Sequence, residues 1–165
     1  MINVDKPAIL AKLNKFCPAW LKRPDAASSI EEVMQFMIVQ VLPGLLIVKV
    51  EELNESRIVG SVPYRNDTAN VLGYMHGGTI FALGDTLAGA YIWANATSKN
   101  YAVTSGSEIK YFKPVKEGTV RCTVIRKSQQ DRKITLEATF ENNGRVVSLM
   151  TLSYHLMNFD ANMNG

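Results

Sequence analysis

The chain has 165 residues, of which 47% are hydrophobic and 20% charged, and its formal net charge is +3. This length suits one globular domain rather than two, and so apolar a chain buries enough surface to offset its ordering entropy, which excludes intrinsic disorder. Cys17 and Cys122 lie far apart and outside any C-x-x-C pattern, which excludes a disulfide framework and a zinc motif of that kind. We expect one core, with no metal and no cofactor.

The first residues and the apolar stretches bear on the compartment. The opening MINVDKPAIL lacks the basic and then apolar pattern of a secretory signal. No stretch approaches the ~18 consecutive apolar residues of a membrane span, and an excess of 18 bases over 15 acids is too small to indicate nucleic acid. We therefore expect a cytoplasmic protein with no membrane span and no nucleic-acid partner.

The N-terminal part of the chain is predicted to be helical. Apolar residues recur at helical spacing from Ile9 to Phe16, and Cys17-Pro18 interrupts them. Ser28-x-x-Glu31 has the pattern of a capping box and predicts the start of a second helix, which should continue to Pro43.

Six strands and one long helix are predicted after this part. Two alternating segments rich in β-branched residues precede the helix and four follow it, and Asn143-Gly144 gives the strongest hairpin signal. Short turns predict an antiparallel meander for the last four strands. The predicted strands span residues 46–53, 57–63, 101–112, 119–128, 133–141 and 145–158.

The helix between these strands lies in an unusually apolar segment. In residues 68–98, a stretch of 31 residues, Asp85 is the only charged side chain. Apolar residues at spacings of three and four predict a helix over residues 76–96, about 31 Å long. Because such a helix is apolar on most of its circumference, it should be buried, and the sheet should curl around it.

The start of this helix carries the candidate chemistry. His76-Gly77-Gly78 would leave backbone N–H groups approachable by a ligand, with the helix dipole favouring negative charge there. Asp85 adds a carboxylate that attacks a carbonyl or activates a water. Gly77 and Asp85 are eight residues apart, about 12 Å along the axis, so one chain cannot bring both to one carbonyl. A two-fold dimer with antiparallel helices can.

These residues form a recognisable pattern. The chain resembles the PaaI-type acyl-CoA thioesterases of the hotdog-fold superfamily over residues 45–158. The resemblance rests on N-x-x-G-x-x-H-G-G-x-x-x-x-L-x-D, which runs from Asn70 to Asp85, and on A-V-T-S-x-x-x-I-x-Y-F-x-P, which runs from Ala102 to Pro114. It implies an α+β hotdog fold, a curled antiparallel sheet of about six strands around one long central helix, here with an N-terminal helical extension. The predicted divisions are residues 1–43, the helical extension; 44–160, the hotdog thioesterase domain; and 161–165, a tail.

The resemblance also implies an activity and the residues that carry it out. An acyl-CoA would be hydrolysed to free acid and CoA by a homodimer or a homotetramer built from dimers, with the acyl chain in a tunnel beside the helix. The Gly77 amide would polarise the thioester carbonyl, with His76 shaping the loop, and Asp85 of the partner chain would be base or nucleophile. Asn70 would position the thioester or its leaving group, and the Thr104 hydroxyl would hold the attacking water.

Basic residues are concentrated in one third of the sequence. Residues 99–133 contain nine bases and three acids, which suits a phosphorylated carrier such as CoA. Lys110, Lys113 and Arg126, together with Gly78, are therefore predicted to bind substrate. Lysines on outer strands also protect sheet edges, which is an equally good interpretation of any single one.

Alternatives remain open from the sequence. A non-catalytic acyl-CoA or lipid-binding hotdog protein fits the same pattern, and a hydratase or dehydratase fits less well because His76 lies at the glycine turn. No G-x-S-x-G is present, which disfavours a serine hydrolase. The N-terminal helices either cover the acyl tunnel or pack on the outer side of the sheet. The acyl group itself is not predicted.

Overall fold

The computed structural model describes residues 6–158 except for 17–21, 23, 26 and 96–99. Within these residues the chain forms four α-helices, one short 3-10 helix at Asn66–Thr68 and six strands. The helices are α1 (Lys6–Phe16), α2 (Ile30–Ile38), α3 (Leu42–Leu45) and α4 (Gly77–Asn95). The strands are β1 (Lys49–Leu53), β2 (Arg57–Pro63), β3 (Asn100–Tyr111), β4 (Thr119–Gln130), β5 (Lys133–Asn142) and β6 (Arg145–Asn158).

The second helix begins and ends differently from the prediction. Its capping box is Ser29 with Glu32, not Ser28 with Glu31: Ser29 Oγ accepts from the Glu32 N–H at 3.1 Å, and Glu32 Oε2 accepts from the Ser29 N–H at 2.7 Å. The helix ends at Ile38 rather than near Pro43, because Val41 has extended backbone (φ −128°, ψ −172°) that separates α2 from α3. The predicted interruption at Cys17-Pro18 lies outside the described residues.

The six strands form one antiparallel sheet in the order β1-β2-β4-β5-β6-β3. The predicted meander of the last four strands is therefore only partly right: β4, β5 and β6 are consecutive neighbours, but β3 pairs with β6. Residues 112–118 take the chain from β3 at one edge to β4 beside β2, which is why no hairpin joins β3 and β4. The predicted turn between β5 and β6 is confirmed, since Asn143 and Gly144 have φ of 50° and 70°, as a type I′ hairpin requires.

The long helix α4 lies in the concave face of this sheet, as predicted. It contacts β2, β3, β4, β5 and β6, and its buried side chains belong to the same core as those of the strands. The backbone comes very close to the sheet at Gly84, where a Cβ would lie 2.7 Å from Phe140 Cζ and 2.9 Å from Met150 Sδ. Glycine at this point lets the helix sit deep against the strands.

The N-terminal helices pack on the helix side of the sheet rather than on its outer face. Val33 and Met37 of α2 and Ile9 of α1 are buried in the core that contains α4. Gln35 fixes α2 to β1, because its Nε2 donates to the Val48 carbonyl at 3.0 Å and its Oε1 accepts from the Val50 N–H at 2.7 Å. Among the helices described, none is both long and apolar enough to cross a membrane.

Candidate functional site

His76 stabilises the start of α4 through its ring. Its Nδ1 accepts a hydrogen bond from the Gly78 N–H at 2.8 Å, while its carbonyl accepts from the Thr79 N–H at 2.9 Å. The first of these bonds satisfies one of the N–H groups that a helix start leaves unpaired. The Gly78 amide is therefore already occupied, and His76 acts as the cap that arranges the turn.

Gly77, the first residue of α4, keeps its amide available. No acceptor bonds to the Gly77 N–H within the described part of the chain. Its carbonyl accepts from the Tyr111 hydroxyl at 3.0 Å, and the Tyr111 ring packs so closely that a Cβ at Gly77 would lie 3.2 Å from it. The aromatic side chain thus holds the Gly77 peptide in place, with its N–H at the positive end of the helix dipole.

Asn70 shapes the loop before the helix. Its side-chain Oδ1 accepts from the backbone N–H of Leu72 at 2.9 Å and of Tyr74 at 3.2 Å, in an Asx-type turn. The carboxamide oxygen is therefore occupied by the loop, and the side-chain NH₂ group remains as the donor that a ligand can use.

Three of the predicted residues meet at one cavity. Asn70, Gly77 and Lys113 line a space of about 300 Å³, together with aromatic residues Tyr74, Tyr111 and Phe112. We refer to it as the amide cavity.

Asp85 lies in a different space, between α2 and α4. This second space, of about 360 Å³, is lined by Asp85, Thr86, Gly89, Ala90 and Trp93 of α4 and by Met34, Met37, Ile38, Val41 and Pro43. We refer to it as the carboxylate groove. Asp85 is half-buried, and this burial raises the pKa of its carboxyl group above the ordinary value of 3.8.

The amide cavity and the carboxylate groove are separate in one chain. Gly77 lines only the first and Asp85 only the second, and eight helical residues hold them about 12 Å apart along the axis. One chain therefore cannot bring both groups to a single carbonyl, and the site shared between two copies of the chain stays a prediction.

Thr104 lies on β3, at the sheet edge, where its side chain is exposed. It is directly opposite Tyr154 of β6. The Tyr154 hydroxyl is buried and makes no well-formed hydrogen bond to the described residues. Burial raises the pKa of Tyr154 to about 12; the Thr104 hydroxyl lowers it and the Asp85 carboxylate raises it further. Sequence reasoning missed Tyr154, since in an alternating strand a buried tyrosine is indistinguishable from an ordinary core residue.

The predicted basic residues do not form one cluster. Lys113 lines the amide cavity, whereas Lys110 is exposed and pairs with Glu108 at 3.4 Å. Arg126 donates to Gln129 Oε1 at 3.1 Å and acts electrostatically on Tyr91, near the far end of α4. Gly77 and Tyr91 are fourteen residues apart, about 21 Å along the helix. Because Arg126 lies near Tyr91, it is remote from Gly77 of the same chain.

A basic residue missed in the sequence lies near the amide cavity. Lys116 Nζ is 4.9 Å from the centre of the Tyr74 ring, a cation-π contact. Lys116 is one of the nine bases counted in residues 99–133. Its position over the Tyr74 ring is a tertiary contact, which the sequence does not reveal. No group of three or more potential metal ligands occurs among the residues described.

Comparisons with known proteins bear on the class of this fold. Residues 72–149 match the family model described as the thioesterase superfamily. This segment contains the glycine turn, Asp85 and Thr104, and it covers just under half of the chain.

Solved structures share the whole architecture. A thioesterase from Haemophilus influenzae has a TM-score of 0.76 and 14% identity, over 82% of this chain and 96% of that chain. A mutant thioesterase from Pseudomonas aeruginosa has a TM-score of 0.75 and 16% identity, over 84% and 97%. The PaaI protein of Escherichia coli, from the phenylacetic acid degradation operon, has a TM-score of 0.63 and 20% identity, over 70% and 83%.

The fold is therefore the hotdog fold, and the match to the thioesterase superfamily is consistent with the PaaI-type resemblance inferred from the sequence. Thioester hydrolysis is the class of activity that the family match supports.

Proposed function

We propose that this protein is a cytoplasmic acyl-CoA thioesterase that releases free acid and CoA at sites shared between two copies of the chain. The observation that carries the proposal is the position of two groups on one helix. No described residue bonds to the Gly77 N–H at the start of α4, and the half-buried Asp85 carboxylate lies two turns later in a separate space. Each site takes the amide from one chain and the carboxylate from its partner. The active unit is a homodimer, which we expect to assemble further into a tetramer.

The Gly77 N–H would stabilise the charge that develops on the thioester oxygen. As the carbonyl carbon becomes tetrahedral, its oxygen gains negative charge and accepts a stronger hydrogen bond from this N–H, aided by the helix dipole. Tyr111 supports the geometry through its bond to the Gly77 carbonyl. His76 would act through the turn that it caps, not by contact with the reacting atoms.

Asp85 would complete the reaction by one of two routes. As a general base, its carboxylate accepts a proton from water while the water oxygen attacks the carbonyl carbon. The tetrahedral intermediate then expels the CoA thiolate, which recovers the proton. As a nucleophile, the carboxylate itself attacks, and water hydrolyses the resulting anhydride after the thiolate has left and taken a proton from solvent. Thr104 and the buried Tyr154 hydroxyl would position the attacking water.

The amide cavity would receive the CoA side of the thioester. The NH₂ group of Asn70 can donate to the pantetheine part near the leaving sulfur. Lys113, with Lys116 beyond it, offers positive charge to the phosphates, and the aromatic rings provide surfaces for the nucleotide. Lys110 is an exposed second contact, and Arg126 would reach CoA only from another copy of the chain.

A thiol-release assay tests this function. Acyl-CoAs of two to sixteen carbons, with phenylacetyl-CoA and hydroxybenzoyl-CoA, are offered to the wild type and to Asp85→Asn. We expect turnover of at least one thioester and a fall of about a hundredfold or more in kcat for the variant. Equal turnover by both proteins would refute the role of Asp85. Tight acyl-CoA binding without any thiol release would instead indicate a non-catalytic acyl-CoA or lipid-binding protein.

One isotope result would identify the nucleophilic route. In a single turnover in H₂¹⁸O, a general base gives labelled free acid. If water attacks the aspartyl carbonyl of an anhydride, the acid is unlabelled and Asp85 carries the label.

A further inference from the structure

We propose that the carboxylate groove binds the acyl chain of the substrate, and that this chain is apolar and about eight to ten carbons long. The inference rests on the proposed function, because it takes the thioester carbonyl to lie beside Asp85. It adds the chemical class of the acyl group and the N-terminal helix that selects it.

Gly89 keeps the groove open next to Asp85. It lies one helical turn after Asp85, on the same face of α4, and a Cβ added there would meet no other atom within 4 Å. Glycine in a helix interior is less favourable than alanine. The helix therefore has no local reason for glycine at this point, whereas a ligand that passes close to the backbone does.

The direction of the bound acyl chain follows from the position of the charged residue in the groove. Asp85 is the one charged residue in its lining, and the remaining walls are almost entirely apolar. The polar thioester therefore belongs at the Asp85 end, and hydrocarbon belongs beyond Gly89. A hydroxylated or charged acyl tail would lose its water there without gaining partners, which is costly.

The length of the chain follows from the length of the helix. Asp85 and Trp93 are eight residues apart, so the groove runs for about 12 Å along α4, the length of an extended chain of roughly ten carbons. Trp93 lies at the far end of this path. A longer chain would have to bend around it.

The opposite wall comes from the N-terminal part of the chain. Met34, Met37 and Ile38 of α2 face the groove, and flexible methionine side chains adapt to hydrocarbon. The two hydrogen bonds of Gln35 with β1 hold α2 in position. The extension thus supplies a fixed apolar wall for the acyl chain.

Two variants test the groove directly. Gly89→Leu places a side chain in open space, so we expect at least a tenfold fall in kcat/KM for decanoyl-CoA relative to butyryl-CoA. Met37→Ala should move the preference toward chains two to four carbons longer. Phe36→Ala is the matched control, since Phe36 lies on α2 outside the groove lining, and it should keep the wild-type preference.

Binding of the free acid tests the same inference without turnover. Decanoic acid should raise the Tm of the wild type and of Phe36→Ala, and this rise should be lost in Gly89→Leu. If the wild type hydrolyses no thioester but decanoate still binds through Gly89, the proposed function fails and the groove assignment stands. If Gly89→Leu changes neither the chain-length preference nor the decanoate shift, the groove assignment is wrong. A change in oligomer mass alone would show that a second copy of the chain occupies the groove, which also overturns it.

Discussion

The His76 ring bonds to the Gly78 N–H, two residues along the chain, through Nδ1 at 2.8 Å. Because of this contact, the two neighbouring glycine N–H groups have different roles. The Gly78 N–H is used to cap the helix, and the Gly77 N–H is left for a ligand. This hydrogen bond gives His76 a structural reason to precede the two glycines.

The first prediction concerns this cap. His76→Ala should destabilise the protein by about 1 kcal/mol, because the Gly78 N–H loses its partner. His76→Asn offers a side-chain oxygen to the same N–H and should recover most of that stability. Urea unfolding of the wild type, His76→Ala and His76→Asn measures these differences in stability. If turnover recovers with stability in His76→Asn, the histidine acts through the turn; if only stability recovers, its ring takes part in the reaction.

The second prediction isolates the Gly77 N–H. Gly77 is the first residue of α4, a position where proline is tolerated because its missing N–H has no partner in the helix. Gly77→Pro should therefore preserve the helix yet lower kcat by about a hundredfold or more.

Gly77→Ala is the control, since it brings the same Cβ against the Tyr111 ring at 3.2 Å but keeps the N–H. It should lose far less activity than Gly77→Pro. Circular dichroism establishes that both variants keep their helix content. Equal losses in the two would mean that crowding at Tyr111, and not the missing donor, reduces the rate.

The third prediction concerns stability and pH. Burial raises the pKa of Asp85 above 3.8, so the folded protein holds this proton more tightly than the unfolded chain. The ionised carboxylate is therefore destabilising at neutral pH, and this cost disappears as the pH falls through the raised pKa toward 3.8. Asp85→Asn should have a higher Tm than the wild type at pH 7, and the difference should shrink at acidic pH.

The activity should also depend on the ionisation of Asp85, but acidic pH should lower the activity while it removes the cost to stability. Because both proposed routes need an ionised Asp85, kcat/KM of the wild type should fall on the acidic side with an apparent pKa above 3.8. A Tm difference between wild type and Asp85→Asn that is independent of pH would contradict the burial of this carboxylate.

Much of the fold follows from local patterns in the sequence. Apolar residues at spacings of three and four predicted α4 to within one residue of its observed bounds. Asn143-Gly144 predicted the turn between β5 and β6. These features depend on neighbouring residues alone. The pairing of β3 with β6 did not follow, because residues 112–118 join distant positions in the sheet and carry no turn signal that reveals it.

The candidate site was predictable in part for the same reason. The residue types and the spacing of Gly77 and Asp85 are properties of one helix, so the sequence alone is enough to predict a site shared between two copies of the chain. The carboxylate groove brings together α2 and α4, which are about fifty residues apart in the sequence. The sequence therefore left open whether the N-terminal helices reach the acyl tunnel, and it did not reveal the open space at Gly89.

The most direct test of the shared site uses two inactive variants together. Asp85→Asn and Gly77→Pro carry different tags, are co-expressed, and the mixed dimer is purified through both tags. If each site takes Gly77 from one chain and Asp85 from the other, the mixed dimer contains one intact site and one doubly altered site. We expect about half of the wild-type thiol-release rate per dimer. A mixed dimer no more active than its two parents would contradict a site shared between two chains.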